Sequence, residues 1–176
     1  VKTKYKELKS NLGSGNTIFV GSSNDMFCEN YPKEWVYKTL EHCNKFDNKY
    51  LFQTKNPKHL LEFKDYYPDV GKVCITAESN RHYPTIMGKA LPPDLRLFFT
   101  LAFVEPMITI EPIMDFDLIE FVALLKKSEP YQINIGADSC GHNLPEPSKE
   151  KTIEFIEELK KFTNVYLKSN LGRIIK

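Results

Sequence analysis

No two of the four cysteines lie close enough to share a small metal-binding loop. Cys28, Cys43, Cys74 and Cys140 form no CxxC and no CxxxCxxC, the spacings that hold zinc or iron–sulfur clusters. Disulfide staples are not needed either. A chain of 176 residues with 12 Phe and 9 Tyr has enough apolar mass to build a core. Four reduced thiols are therefore expected, with Cys74 buried inside Val73-Cys74-Ile75 as a small hydrophobe. Excess charge of one sign is also missing. The 24 Lys+Arg and 23 Asp+Glu leave a net +1, which excludes a polyanion-binding protein held by bulk charge and leaves nucleic acid a local patch only. No apolar run reaches the ~18–20 residues that cross a membrane, and no basic-then-apolar leader opens the chain. The expected location is cytoplasmic. Glycine is scarce, at 8, and GxxxxGK[ST] is absent. Gly13-Ser14-Gly15 precedes the first strand, so it is no dinucleotide loop. The GxSxG elbow of Ser hydrolases is absent too. Of four histidines, His42 and His59 fall in helical patterns and are expected on the surface, while His82 and His142 fall in loops after strands.

What is present is a repeated unit. Short apolar runs occur at 17–20 (TIFV), 50–52 (YLF), 72–76 (KVCIT), 107–110 (MITI), 132–135 (QINI) and 164–167 (NVYL). Most are continuous runs, which predicts parallel strands covered on both faces. Helical patterns separate several of them. One spans 32–43. A second begins at Asn56-Pro57, with Asn as N-cap and Pro at the first helical position. A third, 117–127, starts with acid and ends with lysines. A fourth, 148–162, opens on a Ser cap. Strand and helix alternate as in repeated βα units. The stretch 83–94 is the longest expected loop, and 95–104 is either a helix or a buried excursion. The fold class is α/β, a single domain over 1–176 with six mostly parallel strands.

In such folds ligands bind at the carboxyl ends of the strands. The residues there are polar: Ser22, Ser23, Asn24 and Asp25; Gln53 and Lys55; Glu78 and Asn80; Glu111; Asp138; Lys168 and Asn170. Glu78 and Glu111 stand out because each closes an apolar strand, in ITAE and ITIE, where a carboxylate needs a partner or a shifted pKa. Three roles are open to them: ligand contact, ion pairs with Lys55 or Lys168, and an acid/base pair. Gly136 can present backbone N–H groups to a ligand or simply turn the chain.

The order IFVGSSNDMF, PKEW, YLFQTKNP, ITAES, ITIEPIMDFDL and INIGADS resembles the radical S-adenosylmethionine (SAM) superfamily. More narrowly, it resembles the phage and microbial group related to spore photoproduct lyase, the DNA-repair-photolyase-like proteins. The resemblance covers residues 16–170, and FVGSSNDMF, QTKNP and ITIEPI are its most specific pieces. It implies a partial (β/α)6 barrel of the TIM type, a [4Fe–4S] cluster, and SAM across the strand ends. Ser22 and Ser23 then meet the SAM amino and carboxylate groups. Glu78 meets the ribose, and Glu111, Asn134, Gly136 and Asp138 complete the cofactor site. Asn24, Asp25, Gln53, Lys55, Asn80, Lys168 and Asn170 face the substrate. The parent activity is cleavage of SAM to a 5′-deoxyadenosyl radical acting on a nucleic-acid or other large substrate. The family's CxxxCxxC is absent, so the matching region begins at the second strand of the barrel. On this reading the first βα unit precedes Val1 or has been lost. The chain is an enzyme only if a cluster-binding segment precedes it, and otherwise a non-catalytic module for a nucleotide-like ligand or a protein. A barrel that starts at its second strand leaves an open sheet edge, which predicts self-association or pairing with a missing segment. A hydrolase using Glu78 and Glu111 ranks last.

Overall fold

A computed structural model describes residues 7–69 and 71–176. Six parallel strands form one sheet in the order β1-β2-β3-β4-β5-β6. They are β1 Thr17–Val20, β2 Lys49–Thr54, β3 Gly71–Thr76, β4 Met107–Ile110, β5 Gln132–Ile135 and β6 Asn164–Leu167. The helices are α1 Lys33–Cys43, α2 Pro57–Leu61, α3 Pro84–Met87, α4 Pro93–Thr100, α5 Leu118–Lys127, α6 Lys149–Lys160 and α7 Gly172–Ile175. The sheet is open: β1 and β6 each pair with one neighbour. Among the described residues no helix is long and apolar enough to cross a membrane.

Local chemistry sets the helix ends. Asn56 accepts the His59 N–H at 3.3 Å and Pro57 opens α2, satisfying one free donor and omitting another. Ser148 accepts the Lys151 N–H at 3.2 Å at the start of α6. Asp117 precedes α5 without capping it, because Arg81 takes its carboxylate, with Nη2 to Oδ1 at 2.5 Å and Nε to Oδ2 at 3.0 Å. Residues 83–94, expected as loop, contain α3 and the start of α4. Pro84 and Pro93 each sit in the first turn of a helix.

The register gives the two faces of the sheet different chemistry. Ile75, Ile108, Ile133 and Val165 form one row across β3 to β6, and Ile18, Tyr50, Phe52 and Val73 continue that face through β1 and β2. These side chains belong to two apolar clusters. One joins them to Val36, Leu40, Leu60 and Phe63, the other to Leu97, Phe121, Leu125, Phe155 and Leu159. Each large apolar side chain buried there contributes about 1.5–3 kcal/mol. None of the opposite-facing strand residues, such as Leu51, Cys74 or Met107, belongs to either cluster. Sequential strand order with crossovers of one hand places the helices on a single face. The strands are thus covered by helices on one face, not on both. The other face is the more polar one: Thr76, Thr109, Asn134 and Tyr166 are register partners across it, with Phe19, Leu51, Cys74 and Met107 as its apolar members. This also explains why β2 is longer than its apolar core suggests: Gln53 belongs to the polar face, and Thr54 turns back under the helices.

His59 departs from expectation. It is buried, and its Nδ1 lies 2.8 Å from the Phe27 carbonyl. The loop after β1 folds over the short α2 and closes what would be its solvent side.

Candidate functional site

Two polar centres form where the strands end, one over β2 and β3 and one over β4 to β6. Thr76 and Thr109 are register partners, so Glu78 and Glu111, two residues further on, leave neighbouring strands at the same height. Glu78 is 2% exposed. Lys55 Nζ lies 2.5 Å from its Oε1, and Arg96 Nη1 donates to Oε2 at 2.7 Å. Arg96 is fully buried and also donates to the Thr76 and Leu91 carbonyls. Burial pushes the Glu78 carboxyl up, but the charges of Arg96 and Lys55 outweigh it and hold the group below its ordinary 4.5. Glu78 is therefore an ionised, fully engaged anion.

Glu111 sits more openly. Lys168 pairs with its Oε2, and Asn170 Nδ2 donates to Oε1 at 2.8 Å and to the Ala137 carbonyl at 2.9 Å. Gly136 is what lets this happen. A Cβ there would stand 2.5 Å from Glu111 Oε1 and 2.9 Å from Asn170 Oδ1, a distance only the missing side chain permits. The chain leaves β4 through a cis Glu111–Pro112 bond. Thr109 Oγ1 and Asn170 Oδ1 are buried and have no hydrogen-bond partner among the described residues. Tyr67 Oη and Arg96 Nη2 share this condition, so it does not by itself single out the Glu111 end of the sheet.

Beside the first centre, Ser22, Ser23, Asn24, Gln53, Lys55 and Thr76 line a hollow of about 250 Å³, with Phe19 at its side. Gln53 Nε2 donates to Thr76 Oγ1 at 3.0 Å across it. A second hollow, of about 270 Å³, shares Asp25 and Lys55 with the first and adds Cys28, Asn30, Asn56 and Lys89. Asp25 is not free for a ligand. Its carboxylate accepts the Phe27 and Lys55 N–H groups at 2.9 and 2.8 Å and the Thr54 hydroxyl at 2.9 Å, pinning the loop after β1 to the end of β2.

Three expected site residues lie apart from both centres. Asn80 accepts the Asp117 N–H at 2.9 Å and so holds the start of α5. Asn134 stands on the polar face further down β5, accepting from Gln132 Nε2 at 2.6 Å. Asp138 belongs to a separate hollow after β5. Arg96 and Thr109 are the residues sequence reasoning missed. A lone arginine inside the apolar stretch LRLFF was the available signal for the first; nothing in the sequence marked the second.

These residues do not fit an iron–sulfur cluster. Among the described residues no three His, Cys, Asp or Glu stand together as metal ligands. Cys43 and Cys74 are buried, and that burial raises their thiols to about 11 and about 12, the opposite of what a thiolate ligand requires. No protein-family model, curated protein or solved structure matches this chain.

Proposed function

We propose that the chain is a radical-SAM-like partial (β/α)6 barrel whose part is to bind SAM at the carboxyl ends of its strands. One observation carries this reading: a polar face with no helices over it is nonetheless closed at its centre. Cys74 and Thr109 on the middle strands are 1% exposed, whereas Phe19 and Tyr166 on the edge strands are 44% and 59% exposed. On a flat uncovered face the middle strands have neighbours at their sides but nothing above them, and their side chains stay partly exposed. Burial of the middle supports an inward curve, as a barrel's interior has, and strand order without reversal fits a barrel's winding.

The residues fit SAM through their polar groups at the strand ends. The Glu111 carboxylate, which is 25% exposed, suits a hydroxyl-rich ribose. The Ser22, Ser23, Gln53 and Lys55 hollow suits the amino-acid end. Glu78 holds Lys55 in place at the hollow's edge and does not itself contact the ribose on this reading. When bound and reduced, SAM supplies a 5′-deoxyadenosyl radical that takes hydrogen from a nucleic-acid or other large substrate. That chemistry needs a cluster the described residues do not fit, so no step of it is assigned to them.

Titration calorimetry of the chain with SAM tests the reading. Expected is saturable heat that weakens at least tenfold in Glu111→Gln; a flat trace with SAM overturns it. Because Glu78 and Glu111 are both engaged by cations of the chain itself, a binding module without chemistry is the second reading. Heat with adenosine nucleotides equal to that with SAM favours it. The open β1 edge supports self-association or capture of a further strand, and a monomer at every concentration by light scattering removes the first of these.

A further inference from the structure

Between α4 and α5 the helical layer carries more large apolar side chains than it buries. Arg96, Leu97 and Thr100 turn inward from α4, and Arg96 is held there by Glu78. The helical period then sends Leu95, Phe98 and Leu101 outward, where they are 43%, 62% and 47% exposed. Exposed apolar residues scattered singly are ordinary, whereas a contiguous patch of them marks an interaction surface.

These three side chains and Leu124 line a groove of about 250 Å³. Two charged residues complete it, Asp94 on the α4 wall and Lys127 on the α5 wall. Both are exposed. Neither side chain has an ion-pair or hydrogen-bond partner among the described residues. The walls are fixed relative to each other, because Ser128 Oγ at the end of α5 donates to the Leu97 carbonyl at 3.2 Å. Phe99 meets the Phe98 ring edge-on, with centroids 5.6 Å apart, so Phe98 is an aromatic anchor supported from behind.

One positive and one negative charge make this groove complementary to itself. A two-fold axis passing between Asp94 and Lys127 sets each Asp94 opposite the second copy's Lys127 and lays the two apolar grooves face to face. A foreign helix with charge of one sign would match one of these residues and repel the other. We propose that the α4–α5 groove docks a second copy of this chain, in an isologous dimer built on Phe98 and flanked by two Asp94–Lys127 pairs. The patch is far smaller than the roughly 20–30 residues a side of a stable interface, so the dissociation constant is expected at about 100 µM. The surface includes neither the strand ends nor the β1 edge. It therefore stands apart from SAM binding and from any pairing of strands.

Sedimentation equilibrium of the chain from about 10 to 500 µM brackets that constant. The mass should rise with concentration from the 20.4 kDa of one chain toward twice that value. Phe98→Glu should stay monomeric throughout, with an unchanged circular dichroism spectrum. Asp94→Lys or Lys127→Asp alone should weaken association about tenfold, because like charges then face each other at both ends of the interface. These two variants keep every apolar contact, so their effect is independent of folding. An equimolar mixture of the two should associate like the unsubstituted chain, since the lysines of one copy then meet the acids of the other. The mass of one chain at every concentration overturns the proposal. So does a dimer that Phe98→Glu leaves intact, which assigns association to the β1 edge, and so does a mixture that associates no more tightly than its components.

Discussion

Glu78 and Glu111 end matching strand segments, ITAE and ITIE, on neighbouring strands, yet their surroundings make them different objects. Glu78 is sealed under α4 between Arg96 and Lys55. Glu111 stands at the open end of β4, held by Lys168 and by an amide whose oxygen lacks a partner. The first is a structural anion whose loss unbalances a buried charge. The second is a partly exposed anion paired with Lys168 and Asn170, whose loss is expected to cost the fold less. Equivalent sequence positions thus divide into a sealed anion and a more open one, because α4 closes over Glu78 while Glu111 is met only by Lys168 and Asn170 from the segment after β6.

The largest test of that contrast is Arg96→Met. Removing one partner of a buried ion pair leaves an uncompensated charge and costs about 3–5 kcal/mol, read as a lowered urea midpoint. Adding Glu78→Gln should recover most of the loss. A single-variant cost near zero makes Glu78 no more structural than Glu111. Acid tests the same residue without mutation. Because the Glu78 pKa is lowered from 4.5, its contribution is fully present above that value and fades as pH falls through the lower folded value. Unfolding curves collected downward from pH 4.5 should show a loss that the Arg96→Met, Glu78→Gln double variant lacks.

Gly136→Ala comes next. Its methyl meets Glu111 Oε1, and overpacking of this kind costs about 1–3 kcal/mol. Denaturation should show that loss, and SAM binding should weaken with it; unchanged values for both break the claim that glycine seats the Glu111 carboxylate. Glu111→Gln should cost less, about 0–1 kcal/mol as for partly exposed pairs, while SAM affinity falls at least tenfold. A stability loss as large as that of Arg96→Met erases the distinction between the two glutamates. Smallest is Lys33→Ala, which breaks only the exposed pair with Glu62 and should leave the denaturation midpoint unmoved. A measurable shift there signals that exposed pairs carry more in this protein than its buried ones suggest.

Much of this molecule is legible residue by residue. The strand runs at 17–20, 107–110, 132–135 and 164–167 match their elements end to end, because short β-rich runs bounded by polar loops leave little choice. The caps at Asn56 and Ser148 lie where the side chains demand them. Lys55 and Lys168 emerge as the partners of Glu78 and Glu111 from the short list of cations at strand ends. Arg96 was hidden because its role depends on α4 folding back over β3, a contact between segments that no local pattern encodes. His59 was misplaced for the same reason, since its burial comes from the loop around Phe27. The His142 ring was visible as a loop residue, but its pairing with Asp138, Nδ1 to Oδ1 at 2.9 Å, needs two left-handed positions, Gly141 and Asn143, of which only Gly141 is an obvious candidate.

By itself, the sequence determined an α/β chain of six parallel strands with a polar rim, because hydrophobic periodicity and turn chemistry act over a few neighbouring residues. Only the tertiary structure decided which sheet face the helices cover, which glutamate is locked and which is open, and that Asp138 holds a histidine. Those outcomes depend on strand register and on where each connecting segment returns, and both are set by contacts between residues far apart in the chain.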